Sequence, residues 1–518
     1  MDISRSLSET WKFWLCGGAV LLAIAWTLLH PRVARGILVL LLAFGVLDYC
    51  RFGFKLPFRQ VDTYDLIHYY LNTKYYDELG YYDLYPACIL ADHENGGPRF
   101  HEGDKFMDQD DDGHHLAPIS VALDEGRQVR DTKFTPERWK AFTHDFLYLQ
   151  RDVEGMNDEL WKQLIQDHGF NGTTVWVLQS LPFAQLPVEY IKTLGYLDLV
   201  WLGAAIGAVM WAWDGTTALW AALFLMVSYS TRWPTITWAF NRYDYVSLLV
   251  IAMACVRKGR PILGGFLTGW STTLRMFPAM WLYGPGAKGV FGLLERKVHQ
   301  PALKLLAGFC LGIAVFQGAA TLYFGPEIVR THYDNMEDHN KSENLSSRRI
   351  GLALALPFRG DLLPKNITTA EKEVIEHQKP LRYAISGIVM LVMGWGLRKR
   401  RDEEVFAYGF IPFFLLTTAS YYYYIARWTL WVAHAAGLVK PDVGESRTRH
   451  TAGLAMLAGI ELFTNHSEVT YPDHRVYLIG GTAWLLLGYA VVMGVWLLVE
   501  SHRTPPLTVE AGTPTSNA

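Results

Sequence analysis

Cysteine is scarce, with five in 518 residues. Cys16, Cys50, Cys255 and Cys310 fall in apolar stretches, and only Cys88 lies in a long polar segment. One thiol there has no partner within its own loop, so no disulfide scaffold is implied and the compartment stays open. Net charge of one sign is also missing: Lys+Arg 47 against Asp+Glu 50 leaves −3. That balance excludes the electrostatic footprint of a nucleic-acid binder. No internal repeat is visible, direct or inverted. Apolar and aromatic residues are abundant instead, at 51% hydrophobic and 14% aromatic. The aromatics exclude a disordered chain, and the apolar residues are bunched in blocks near the length of a bilayer span. The chain reads as an integral membrane protein.

Two apolar runs, Trp11–Leu29 and Val33–Tyr49, open the sequence on either side of His30-Pro31-Arg32. The first lacks a small-residue cleavage signature and reads as a retained span. After a polar stretch from Arg51 to about Phe170, apolar blocks return at 172–186, 190–213, 216–230, 245–256, 261–283, 302–324, 381–397, 405–420, 421–439, 451–464 and 476–499. The expected architecture is an all-α polytopic membrane protein of about eleven spans. Its parts are N-terminal spans at 1–50, an extracytoplasmic loop subdomain at 51–187 after the second span, a membrane domain at 188–500, and a disordered Pro/Thr-rich tail at 501–518.

Basic clusters set the orientation. Arg398-Lys399-Arg400-Arg401, Arg257-Lys258-Gly259-Arg260 and Arg296-Lys297 with Lys288 are placed in the cytoplasm. One plain span at 261–283 would put the second and third on opposite sides. A re-entrant hairpin over 261–283 resolves the conflict, with Gly264, Gly265, Gly269 and Pro278 as helix breakers and Arg275 near the tip. The other reading is an ordinary span with Arg275 snorkelling. Counting outward puts 51–187, 231–244, 326–380 and 465–475 on the outer face, and the N-terminus with them. Arg51, Lys55 and Arg59 argue the other way.

Within the first outer segment, Thr135 before Pro136 is the expected N-cap of a helix whose apolar face continues through Phe142, Phe146 and Leu149. Asn157-Asp158-Glu159 starts a second helix, expected to end at Gly169. Asp108-Gln-Asp110-Asp111-Asp112-Gly113 meets the first positions of a calcium loop but has Ile119 where the bidentate Glu belongs, so a solvated acidic turn is the plainer reading. His114-His115 has no identifiable partners for zinc. Asn171, Asn344, Asn366 and Asn465 head glycosylation triplets, which matter only in a eukaryotic cell. Asp48, Arg427, Glu461 and His434 are the charged or titratable residues inside apolar runs, and they read as snorkelling, not as a partnered relay.

The segment Val61-Asp62-Thr63-Tyr64-Asp65-Leu66-Ile67-His68-Tyr69-Tyr70 follows the second span closely. Crowded tyrosines suit a membrane–water interface. Asp62 and Asp65 share one face if helical. A carboxylate shielded beside the bilayer can act as a general base; equally, Asp is favoured as a helix cap. Both readings stay open on spacing alone.

Asp62 after an early span, the Tyr69-Tyr70 pair, Leu79-Gly80 and Asp83-Leu84-Tyr85 resemble the first outer loop of GT-C glycosyltransferases, specifically the bacterial polyprenol-phosphate-mannose-dependent mannosyltransferase branch. Gly259-Arg260, Gly264–Gly269 and Leu274-Arg275-Met276-Phe277-Pro278 resemble that branch's Gly-rich hairpin, with Arg275 in its lysine position. His339-Asn340 and Asn344–Leu352 resemble its later outer loop. The insert from Pro86 to Phe170 departs from the pattern and leaves acceptor type open.

The resemblance implies transfer of a sugar from a polyprenyl-phosphate donor to a lipid or glycan acceptor hydroxyl at the outer face of the cell membrane. Asp62 would be the catalytic base with Asp65 beside it, and Tyr69 and Tyr70 would touch substrate. Arg242, Arg275, His339, Arg348 and Arg349 would hold the donor phosphate. No cofactor, metal or nucleic acid is expected. Arginines at a membrane edge also serve as lipid-headgroup anchors. The alternative function is a transporter or flippase for a lipid-linked or small polar substrate, for which repeats and paired midplane charges would be expected. A membrane-anchored sensor or scaffold would leave the many spans unexplained.

Overall fold

The computed structural model describes residues 3–49, 62–96, 99–110, 113–153, 156–231, 239–339, 349–358, 369–441, 446–471 and 475–503. They are almost wholly helical, with two small antiparallel β-pairs. Helices Ile3–Ala25 and Pro31–Tyr49 form the opening pair. Four segments are long and apolar enough to cross a bilayer: Val188–Ala212, Gln300–Phe324, Lys379–Leu397 and Ile479–His502. Thr10–Ala25 and Gly215–Val227 are shorter apolar helices.

Several sequence blocks are apolar because protein, not lipid, surrounds them. Asp244–Arg257 is buried almost all round and has 14 residues, about 21 Å at 1.5 Å per residue, well short of the hydrocarbon thickness. The block 405–420 divides into Asp402–Ala407 and Phe410–Leu416, and 421–439 opens with a 3₁₀ segment, Tyr421–Arg427, before helix Trp428–Val439.

The glycines of 261–283 do not break a helix. Gly265 and Gly269 lie inside Pro261–Leu274, and a Cβ on either would fall within 2.4 Å of the backbone of Gln300–Phe324. Gly308 and Gly312 make the reciprocal approach from that helix. Two small-xxx-small stripes therefore face each other and bring the backbones together. The break comes at Arg275, whose backbone is extended (φ −149°, ψ 127°), before a 3₁₀ turn at Phe277–Leu282 and helix Tyr283–Leu294.

The far ends of these two arms meet one ionic cluster. Arg257 pairs with Glu403 at 2.5 Å and Lys288 with Asp402 at 2.6 Å. Arg449 bridges Glu404 at 2.5 Å and Glu500 at 3.1 Å, and Arg400 also pairs with Glu500. The chain thus leaves this end after Arg257, turns at Arg275 and returns by Lys288. Arg449 is wholly buried, so Arg449→Met strands Glu404 and leaves Glu500 with Arg400 alone, and breaking such a pair costs about 3–5 kcal/mol. A melting temperature in detergent equal to that of the parent would contradict this.

The subdomain after the second helix forms around Phe142, Phe146, Leu149, Trp161, Leu164 and Ile165, all buried. Thr135 caps Pro136–Arg151 by accepting from the Arg138 N–H, and Asn157 caps Asp158–Ile165 by accepting from Leu160 N–H. Strands Lys105–Asp110 and Gly113–Pro118 make a hairpin, so Asp108 and Asp110 lie in an extended strand, while residues 111–112 lie outside the described residues. Among the described residues, no group of three or more His, Cys, Asp or Glu is arranged to hold a metal. Cys88 is buried inside helix Leu84–Glu94.

Two more expectations change. Asn465 is buried and donates to the Val227 and Glu461 carbonyls, and Asn171 accepts from the Tyr69 hydroxyl at 2.6 Å. Both amides are held inside the fold, while Asn344 and Asn366 lie outside the described residues. Arg427 and Glu461 do not snorkel: they form an ion pair at 2.9 Å, each 1% exposed, with Glu461 also accepting from the Tyr229 N–H. Helix Arg475–Arg503 runs into the expected tail, whose residues 504–518 lie outside the description.

Candidate active site

Asp62 begins the site. Its side chain accepts from the Asp65 N–H and caps the short helix Thr63–Leu66, so the capping reading is realised. The chain then passes through a π-helical turn, Ile67–Leu71, a form that recurs at functional sites because its extra residue re-aims side chains. The turn carries His68, Tyr69 and Tyr70.

The two aspartates are in different states. Asp65 is 2% exposed; it ion-pairs with Arg242 and accepts from Phe240 N–H at 3.2 Å. Asp62 is only half-buried by contact with solvent. Desolvation pushes its carboxyl up to about 7, against the opposing pull of Arg242 and the Tyr64 N–H. Asp65 is therefore fixed in an ion pair, while Asp62 is poised to exchange a proton near neutral pH.

Arg242 joins this corner to the next. Its guanidinium lies 5.1 Å from the Tyr69 ring centre and 4.9 Å from that of Tyr422, and the Arg242 backbone N–H donates to Asp198. Beyond them sits Arg275, 9% exposed, 6.0 Å from the Trp176 ring and electrostatically close to Tyr423, Tyr69, Asp244 and Tyr245. Its guanidinium donates to the neighbouring Leu274 carbonyl, and its Nε has no hydrogen-bond partner. No carboxylate comes within ion-pairing distance of it among the described residues. A buried cation so placed attracts an anion.

Arg349 stands beside Tyr422, Tyr423 and Asp167, in the β-pair Arg349–Ile350 with Ala419–Ser420. Asp167, from the insert, accepts from Tyr64 Oη at 2.6 Å. Burial alone would raise Asp167, but His68, the Tyr64 hydroxyl and the His168 N–H hold it below the usual carboxylate value.

The structure thus brings Asp62, Asp65, Tyr69, Arg242, Arg275 and Arg349 together. Tyr70 is turned away: its hydroxyl donates to the Leu186 carbonyl and its ring packs on Phe240. Arg348 and the side chain of His339 lie outside the described residues. Sequence reading missed Tyr422 and Tyr423, hidden in an apolar block as an interfacial-looking tyrosine run. It also missed Trp176, Asp167 and His332, the last two turns before His339 on the same helix.

No family model matches the chain, and no curated protein does. Among solved structures, ArnT from Cupriavidus metallidurans in the apo state is similar over 65% of this chain and 67% of that one, at 14% identity and a TM-score of 0.29. A superposition that loose fixes neither fold family nor chemistry.

Proposed function

We propose that the chain is a GT-C-type membrane glycosyltransferase that moves a sugar from a polyprenyl-phosphate donor to a lipid or glycan hydroxyl at the extracytoplasmic face of the cell membrane. The observation that carries this is Arg275: a buried guanidinium at a helix break, walled by Trp176 and tyrosines, without a carboxylate ion pair among the described residues. In the reaction the acceptor oxygen bonds to the anomeric carbon and its proton goes to Asp62. The anomeric carbon–phosphate oxygen bond breaks, and its electron pair stays on the phosphate, whose charge rises from one to two. Arg275, with Arg349 nearby, stabilises that second charge where it develops. Arg242 keeps Asp65 neutralised and restrains the rise of Asp62. The test is sugar transfer from a panel of decaprenyl-phosphate sugars by the reconstituted protein; turnover with none of them, and no binding of any, would sink the reading.

The buried Arg427–Glu461 pair favours the second reading, transport, since paired charges in apolar helices mark ion or substrate pathways. Uptake of free or lipid-linked sugar into proteoliposomes without donor cleavage, lost in Glu461→Gln, would establish it.

Sidedness belongs to the same proposal. The ionic cluster at Arg257, Lys288 and Arg400 is assigned to the cytoplasm and residues 62–187 to the outside. Single cysteines at 113–115 should be labelled by an impermeant reagent in intact cells, and one at Arg401 should not. Labelling of both from outside would overturn the assignment.

A further inference from the structure

Helix Pro326–His339 brings His332 within electrostatic reach of Arg275. The ring is 4% exposed, packs 5.5 Å from the Tyr81 ring, and its Nδ1 has no hydrogen-bond partner. The helix is pinned there by Asn335, whose amide donates to the Phe170 carbonyl at 3.0 Å. A buried imidazole nitrogen left unbonded, within electrostatic reach of a buried guanidinium whose Nε is also unbonded, is costly unless a ligand completes both. An anion with several acceptor oxygens is the ligand that does so.

Resting on the donor reading above, we propose that His332 and Arg275 form one buried pocket for the phosphodiester of a prenyl-linked ligand, in which His332 takes up a proton on binding and donates it as a hydrogen bond to a phosphate oxygen.

The groups nearest His332 are Arg275, by its field, and Tyr81, by its ring; Tyr76 packs on Tyr81 in turn, and both hydroxyls are pushed up by burial and uncharged at neutral pH. On its own helix, Arg330 and Asp334 are exposed and pair with each other. Burial, aided by Arg275, holds His332 down to about 4, so the ring is neutral above that pH in the empty pocket. A bound anion favours the imidazolium. Binding therefore takes up a proton and tightens as pH falls. As the donor bond breaks, the same N–H faces the oxygen on which the second negative charge appears.

The test is calorimetry on the full chain in nanodiscs, in two buffers of different ionisation heat. The probes are methyl farnesyl phosphate and dimethyl phosphate, diesters of fixed charge between about pH 5 and pH 8. Methyl farnesyl phosphate should bind with uptake of about one proton and gain up to about tenfold in affinity per pH unit on acidification. His332→Gln should abolish the uptake and flatten the pH profile. Asp62→Asn and Asp244→Asn, each of which removes a carboxyl that burial raises toward neutral pH, should keep both. Equal affinity for dimethyl phosphate would overturn the prenyl-linked source. Probe binding without proton uptake in the parent, or with uptake lost in Asp62→Asn or Asp244→Asn, would overturn the role of His332 while leaving the donor reading standing. Failure of the parent to bind either probe would remove both. Uptake kept in both Asp62→Asn and Asp244→Asn assigns the proton to His332 even where His332→Gln fails to fold.

Discussion

Asp62→Asn is expected to lose about 10²–10⁴ of the transfer rate, the usual contribution of a positioned general base, while donor lipid still binds. The amide keeps the shape, and the capping hydrogen bond from the Asp65 N–H survives on its carbonyl oxygen. Asp65→Asn should behave differently. It uncouples Arg242 inside the fold, so its main cost is stability, about 3–5 kcal/mol for breaking a buried pair, with a smaller loss of rate. The pH profile follows from the same geometry. A base must be unprotonated to act; with its carboxyl held up to about 7, Asp62 loses activity as pH drops through that value and is fully ionised above it. kcat/KM should thus fall about tenfold per unit on the acid side and level off on the alkaline side. A profile already flat at pH 5 would mean that Asp62 is not the base. A dead Asp65→Asn variant of parental stability would move the role one helical turn.

Arg275→Ala should weaken donor binding by about 2–5 kcal/mol, the cost of truncating one side of a desolvated charged contact, or roughly 30-fold to several-thousand-fold. Arg275→Lys should retain part of the affinity, because it keeps the charge and loses the fork. Acceptor KM should change little in both. Full donor affinity in the alanine variant would return Arg275 to an arginine held by tyrosines for packing alone.

Features set by neighbours along the chain were legible in the sequence. Thr135 and Asn157 cap the helices their spacing announced, and Asp62 caps the short helix that carries Asp65. The break near Arg275 was anticipated, and Pro278 does lie in the 3₁₀ turn that follows it, but the glycines named with it face another helix, and a glycine kept for close packing is written with the same letter as one kept for a bend. Residues that matter through distant partners were not legible. Tyr422 and Tyr423 look like more of an apolar block until Arg242 is seen over the Tyr422 ring. His332 looks like any histidine on an amphipathic helix until the chain folds it beside Arg275. Arg427 and Glu461 read as separate snorkelling charges because nothing local pairs them. Whether an apolar block meets lipid or protein was not legible either: Asp244–Arg257 is short and buried almost all round, and a helix buried in protein on all sides is as apolar as one facing lipid.

The most direct measurement is a cryo-electron microscopy structure of the full chain with a non-transferable polyprenyl-phosphonate sugar. The phosphonate should lie within hydrogen-bond distance of the Arg275 guanidinium, with the sugar between Tyr69 and Tyr422 and the anomeric carbon open toward Asp62. Phosphonate density at the Arg257–Lys288–Arg400 end, or an anomeric carbon facing some other carboxylate, would contradict the assignment of donor site and base together.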